Sequence, residues 1–311
     1  MLAIERVSGL ATVQDQGWSG WRSIGLPPGG AADPAALRIG NAVVGNPVHH
    51  AGIELTLGAL SATCARDTVI AVTGGGGPVA VDGREVEPNA AVPVAAGATL
   101  VVGRATSGRF RYLAVAGGIA VPPQLGSRST YLPTGFGGLE GRPLAADDRL
   151  PLGSPVHPPA TAPGPSSPGD DSAIRVTAGP QSSLFPPDAG VLFEASEYRV
   201  AAASDRMGTR LEGPSLPLRQ AASLPSEPTC LGAIQVPDDG RPIIILGDGP
   251  TVGGYPKLGA VIAADLGRFA QLPLGSPVRF HWVAVIEAER IGRAARDRER
   301  AALAALVRAR G

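Results

Sequence analysis

The chain has 311 residues, with 27 basic and 27 acidic side chains, 44% apolar residues and 17% charged ones. That is long enough for two ordinary domains and a large core, and its sparse, balanced charge argues against a nucleic-acid groove or a binder of acidic membranes. No uncharged apolar run approaches the roughly 20 residues that span a bilayer. The opening stretch MLAIERVSGL lacks the basic-then-apolar order of a signal peptide. Cys64 and Cys230 have no metal-ligand spacing, so the expectation is a cytoplasmic protein without a disulfide framework or a metal.

Glycine (43) and proline (31) are abundant, which predicts many short strands joined by tight turns. The first distinctive segment, residues 12–34, carries Gln14, Asp15, Trp18, Trp21 and Arg22 and ends just past Asp33. A polar and aromatic loop ahead of a helix suits ligand binding; core tryptophans with a capping turn suit it equally. Asp33 as N-cap, Pro34 as first helical residue and the stop Gly45-Asn46-Pro47 delimit one helix. His49-His50 follow it without companions for a metal. Strands are predicted at residues 53–57, 68–73, 79–81, 91–94, 99–102 and 111–116. The tetraglycine at 74–77 reads as a turn or as a phosphate cradle. No Walker loop accompanies it.

Residues 154–171 (SPVHPPATAPGPSSPGDD) are rich in proline and serine and read as a linker that packs no core. The predicted domains are therefore 1–153 and 173–311, joined by 154–172. Beyond the linker, strands are predicted at 174–177, 190–193, 198–200, 233–236, 243–246, 260–264 and 278–283, then an amphipathic helix over 287–310. Even spacing of short strands indicates barrels or sandwiches rather than a βαβ sheet.

Two polar segments of the second half stand out. In SDRMGTRLEG, Arg206 and Arg210 flank Gly208 and can clamp a carboxylate or phosphate, or be solvated. In QVPDDGRPIIILGDGPTVGGYPK, an apolar run separates Gln235 from Asp248, Thr251, Gly253, Gly254, Tyr255 and Lys257. Lys257 is the sole lysine; every other member of the 27 basic residues is arginine. One reading is a hairpin with Asp248 in the turn and Lys257 in solvent. The other is a ligand loop: the glycines allow close approach, Asp248 orients an amide and Lys257 meets an anion.

Longer motifs carry a family resemblance. TVQDQGWSGWRSIGLPPGGAADPAALRIGNAVVGN with IELTLG, then RYLAVAGGI, LGSRST, GGLEGRPLAADDRLPLG, SDRMGTRLEG and GAIQVPDDGRPIIILGDGPTVGGYPK occur in that order. Together they resemble the carboxyltransferase-like family of allophanate hydrolase subunit 2, which includes the C component of bacterial 5-oxoprolinase and the carboxyltransferase region of urea carboxylase. The resemblance spans nearly the whole chain except the linker. It implies a mainly β fold: two cyclophilin-like β-barrel subdomains, a few short helices and a C-terminal helix, with a substrate cleft between the halves. It implies substrate contacts from Asp15, Asp33, Asn41, Glu54, Gln235, Thr251, Gly253, Gly254 and Tyr255, and catalytic roles for Asp248, Lys257 and Arg206. It also implies a subunit 1/B partner, in a heteromer up to a heterotetramer, and a third component, the A protein of the complex. ATP would be used by the complex to open 5-oxoproline to glutamate. The alternatives are a carboxyltransferase served by biotin on a separate carrier, acting on a small ureido compound, and a non-enzymatic regulatory partner of a kinase-inhibitor-like subunit 1. Two departures from the family pattern are Pro225 and Pro228 before Gln235, and Gly249-Pro250 in the loop.

Overall fold

The structure is a computed structural model that describes residues 1–165, 173–219 and 224–310. It divides into two units. Met1–Trp18, Gly29–Pro168 and Arg298–Gly311 form the first; Ser19–Pro28 and Gly169–Asp297 form the second. Both are built on barrel-like, mostly antiparallel sheets with few helices, so the fold is mainly β.

The first unit contains β1 (Leu2–Gln14), α1 (Pro34–Val43), β2 (Gly52–Cys64), β3 (Thr68–Gly74), β4 (Val79–Val81), β5 (Arg84–Glu85), β6 (Val92–Val94), β7 (Thr99–Val102), β8 (Phe110–Val115), β9 (Thr130–Tyr131), β10 (Phe136–Gly137) and β11 (Arg149–Leu150). The main sheet runs β5-β4-β7-β2-β8-β3-β6, with β1 on β2 and β11 on β1. β1 and β2 pair from Leu2↔Cys64 to Gln14↔Gly52, with register shifts between Ile4 and Arg6 and between Ser8 and Leu10. Such bulges bend a strand and increase its twist. The bend lets one end of β2 pair with β8 and the other with β7. Gly58 makes it possible, because a Cβ there would collide with the Ser8 carbonyl. The predicted strand at 53–57 is thus the first part of a 13-residue strand. Leu2, Ile53, Leu55, Leu100, Leu113 and Val115 form the centre of this core.

α1 starts where its cap predicts: Asp33 Oδ1 accepts from Ala36 N at 3.2 Å. Its Ala42 and Val43 pack with Ala71, Ala114, Ala160 and Leu306. Ala160 lies in the segment read as a linker without core contacts, so that expectation is corrected up to residue 165. Ala160 N bonds Val43 O at 2.8 Å and Gly164 N bonds Asn89 O at 2.6 Å. Main-chain groups dock this segment, and composition does not reveal them. Residues 166–172 of the predicted linker lie outside the described residues.

The second unit contains β12 (Ile174–Ala178), α2 (Ala189–Ala195), β13 (Tyr198–Val200), β14 (Gly208–Glu212), β15 (Glu227–Pro228), β16 (Ala233–Gln235), β17 (Ile243–Ile245), β18 (Val252–Gly253), β19 (Lys257–Val261), α3 (Leu266–Ala270), β20 (Pro277–Val278), β21 (Phe280–Trp282) and the start of α4 (Val285–Arg308). The sheet order is β20-β13-β14-β17-β16-β19-β12-β21, and β15 and β18 form a separate ribbon. Three strand expectations are corrected. Residues 190–193 are helical, within α2. This buries Phe193 against Phe280 (ring centroids 4.5 Å apart) and Tyr198, while Val191 stays exposed; a four-residue apolar run does not fix its own period. The strand at 260–264 begins earlier, at Lys257. The strand at 278–283 breaks in two, because β20 pairs with β13 and β21 with β12.

Asp265 precedes α3 and is 1% exposed. Its carboxylate accepts from Arg175 N (2.8 Å), Nε (2.9 Å) and Nη2 (2.5 Å) and from Arg268 Nη2 (3.2 Å). Burial alone would raise its pKa, but these donors and charges hold it below the ordinary carboxylate value. A lowered native pKa contributes stability above the unfolded-state pKa and loses it as pH falls through the native value. Asp265→Asn is therefore expected to cost about 2 kcal/mol at neutral pH and to flatten the acid limb, measured by urea unfolding at successive pH values.

Candidate functional site

The second unit gathers part of the Gln235–Lys257 segment into one constellation. Gln235 closes β16 and Lys257 opens β19, and the two are register partners. Cross-strand partners present their side chains on one face. Both are buried, with 4% and 5% exposure. Lys257 Nζ donates to Glu227 Oε1 at 2.6 Å. Lys257 N donates to Gln181 Oε1 at 2.8 Å, and Gln181 Nε2 donates to the same Glu227 oxygen. Glu227 lies on β15 opposite Gly253 of β18. A Cβ on Gly253 would lie 2.6 Å from Gln235 Nε2, so glycine here leaves the amide its space. Lys257, Glu227, Gly253 and Gln235 thus close a ring, and within it Gln235 Nε2 is buried with no hydrogen-bond partner among the described residues. An unpaired buried donor costs about 1–3 kcal/mol.

The ribbon that covers this pair is tied down locally. Thr229 Oγ1 donates to Pro250 O at 2.5 Å and Thr229 N to Thr251 O at 3.0 Å. Arg22 Nη2 donates to Thr229 O at 2.6 Å, which places that arginine of the N-terminal loop in the second unit. Thr251 is buried, Gly254 approaches the Leu224 carbonyl, and Tyr255 is 47% exposed. Lys257 is not the solvent-facing cation of the hairpin reading. It has found a carboxylate within its own chain, and its hydrogen bond and charge, with the Gln181 amide, hold the Glu227 carboxyl below its ordinary pKa.

Arg206 and Asp248 form a second polar pair. Arg206 Nε and Nη2 bond the two Asp248 oxygens at 2.9 and 3.0 Å, and both side chains are buried. The Asp248 main-chain N–H donates to the Arg206 carbonyl. β14 and β17 are antiparallel, with Gly208 opposite Ile245, so the pair locks the end of that ladder. Gln235 stands opposite Ile243, at the other end of β17. Asp248 and Gln235 thus lie at opposite ends of β17. Arg210 is exposed, so no two-arginine clamp forms among the described residues.

Asp15, Asp33, Asn41 and Glu54 belong to the first unit, where each holds local structure. Asp15 accepts from Ser127 Oγ (2.5 Å), Ser129 Oγ (2.7 Å), Arg128 N (2.6 Å) and Gly17 N (2.8 Å). Asn41 donates to His50 O and accepts from Asn46. Glu54 accepts from Ala32 N at 2.8 Å, and Asp33 N donates to the Tyr112 hydroxyl at 2.7 Å. Burial, then the Glu54 and Asp33 carboxylates, push the Tyr112 phenol well above its usual pKa. The tetraglycine is not a phosphate cradle. Gly75 N and Gly76 N are bonded to Phe110 O and Ser107 Oγ. Buried Arg111 donates to the Gly77, Pro78 and Gly103 carbonyls, and burial lowers its pKa to about 10.

Sequence reasoning missed Glu227 and Gln181. Both reach Lys257 through tertiary pairing. The one local signal, a glutamate between Pro225 and Pro228, does not look like a strand.

The family described as carboxyltransferase domain, subdomain A and B, matches residues 24–282. The C protein of Escherichia coli (strain K12) 5-oxoprolinase is 40% identical over 280 residues, 90% of each chain. That of Haemophilus influenzae is 36% identical over 293 residues, 94% of each chain. Among solved structures, Kluyveromyces lactis urea carboxylase superposes with a TM-score of 0.89 at 30% identity, over 96% of this chain and 29% of that one.

Proposed function

This chain belongs to the carboxyltransferase-domain family, subdomains A and B, and we propose that within that family it is the C component of an ATP-dependent 5-oxoprolinase. The complex would convert 5-oxoproline, ATP and water to glutamate, ADP and phosphate. Its other members would be a subunit 1/B homologue and the A protein of the complex. The similarity to the C protein of 5-oxoprolinase over nine-tenths of both chains supports this reading.

The observation that carries it within the chain is Gln235 Nε2, buried with no hydrogen-bond partner among the described residues, on the strand position paired with Lys257. A buried donor without a partner is a place where a ligand acceptor repays desolvation. In this reading the lactam carbonyl oxygen accepts from Gln235. An ammonium carries three donors, one of them on Glu227, and another reaches the same oxygen as negative charge develops there. Gly253, which has no side chain to crowd the Gln235 amide, with Thr251, Gly254 and Tyr255 would shape the wall. The Arg206–Asp248 pair holds the loop that bears them. Asp15, Asp33, Asn41 and Glu54 hold the loops of the first unit.

The test is ATP turnover by this protein with its co-expressed partners, with and without 5-oxoproline. ADP and glutamate should appear in equal amounts; no stimulation by 5-oxoproline overturns the reading. A second reading, transfer of a carboxyl group from biotin on a separate carrier, is favoured by the likeness to urea carboxylase. The same two donors would then stabilise a ureido oxygen. Labelled carboxyl passing from a carboxylated carrier to a urea-like acceptor would establish it.

Gln235→Leu separates site from scaffold. It removes an unsatisfied donor and keeps the volume, so the melting temperature is expected to hold or rise. Turnover of the assembled complex should fall about 100-fold.

A further inference from the structure

A cavity of about 400 Å³ opens in the second unit, lined by the segment that follows β12, by the start of α2, by Leu258 of β19 and by Trp282 of β21. That is a size that takes a small ligand. Gln235, Lys257, Arg206 and Asp248 are not among its lining residues. Its apolar walls are fixed. Phe185 and Leu258 belong to the core of the unit. The Trp282 indole is held at both ends: Nε1 donates to Gly190 O at 2.9 Å, and its six-membered ring lies against Gly259, where a Cβ would come 2.9 Å from Cζ3. Gly190 leaves the cavity unfilled on the α2 side; a Cβ there would meet nothing nearer than the indole, at 3.8 Å. One charge stands among these walls. Arg219 Nε donates to Phe185 O at 2.9 Å and its main-chain N to Leu184 O at 3.0 Å, so the loop that supplies Phe185 also orients the guanidinium. Among the described residues no carboxylate pairs with Arg219, and no acidic residue lines the cavity. The Ser182 and Ser183 side chains complete its polar lining. A guanidinium binds a carboxylate through paired N–H groups, and aromatic walls already in place cost a ligand little ordering.

We propose that this cavity is a second ligand site, for a small amphipathic monoanion: a planar apolar body against Phe185 and Trp282, and a carboxylate on Arg219. One guanidinium balances one negative charge, so a polyphosphate is not the expected ligand. The proposal goes beyond the oxoprolinase reading and does not depend on it. The test titrates the full chain calorimetrically with 2-naphthylacetate and with 2-naphthylacetamide, its neutral isostere. The wild type should bind the acid about tenfold more tightly than the amide, the share of a charge-assisted hydrogen bond. Arg219→Leu should lose that preference: the acid weakens about tenfold and the amide changes less than about threefold. Gly190→Leu places a side chain inside the cavity and should weaken both probes about tenfold or more. Leucine is a better helix former than glycine, so this variant keeps its fold, and thermal unfolding of each variant checks that. If Arg219→Leu does not fold, the acid–amide difference in the wild type and its loss in Gly190→Leu carry the test. No binding of either probe to the wild type, equal affinity for the two, acid binding unchanged in Arg219→Leu, or binding that survives Gly190→Leu overturns the proposal. None of these outcomes involves ATP turnover by the complex, so failure of this site and failure of the oxoprolinase reading are told apart.

Discussion

Asp248→Ala is expected to lower the unfolding free energy by about 3–5 kcal/mol, the cost of leaving a buried charge without its partner. Arg206 and Asp248 are almost inaccessible, and their two hydrogen bonds run at 2.9 and 3.0 Å. Truncating Asp248 takes the carboxylate away from a buried guanidinium where β14 and β17 pair. Replacing both partners with apolar groups, Arg206→Met with Asp248→Leu, should recover most of the loss, because burying an ion pair costs nearly as much as its attraction returns. Urea unfolding of the two single variants and the double variant measures this as a double-mutant cycle. If Asp248→Ala unfolds like the wild type while turnover collapses, the pair belongs to the chemistry and the scaffold role assigned above is wrong.

Lys257→Ala is expected to behave the opposite way. Turnover of the assembled complex should fall about 100- to 1000-fold, the range for loss of one preorganised donor to developing charge. The fall should appear in kcat more than in KM, since the interaction strengthens as the carbonyl oxygen gains charge. Stability should change little, because the partner left behind, Glu227, is partly exposed and can be hydrated. Lys257→Arg should not rescue. A planar, forked guanidinium does not take the place of a compact ammonium between Glu227 and the Gln235 amide. Steady-state kinetics with 5-oxoproline, alongside thermal unfolding of the same preparations, checks both halves. Wild-type kcat in Lys257→Ala would remove Lys257 from the reaction.

Short-range physics writes the part of this protein that is legible along the chain. Asp33 and Pro34 start α1 because a cap bonds within three residues. Residues 68–74, 79–81 and 99–102 are strands because their neighbours on the chain are turn formers. The long family motifs also pointed to the segment that holds Gln235 and Lys257. Other features exist only once distant elements meet. α2 is a helix because it packs Phe193 into the aromatic core, which its few residues do not announce. The register that sets Gln235 beside Lys257 includes an irregularity between Ile234 and Gln235, and a one-residue slip would turn Gln235 to the other face. Glu227 and Gln181 reach Lys257 from 30 and 76 residues away. Such contacts form only after loop closure whose entropic cost is met by the whole sheet, so no local pattern records them. Asp248, Asp15 and Glu54 carry the residue types of a binding site; burial and hydrogen bonds to their own surroundings make them the supports of their loops.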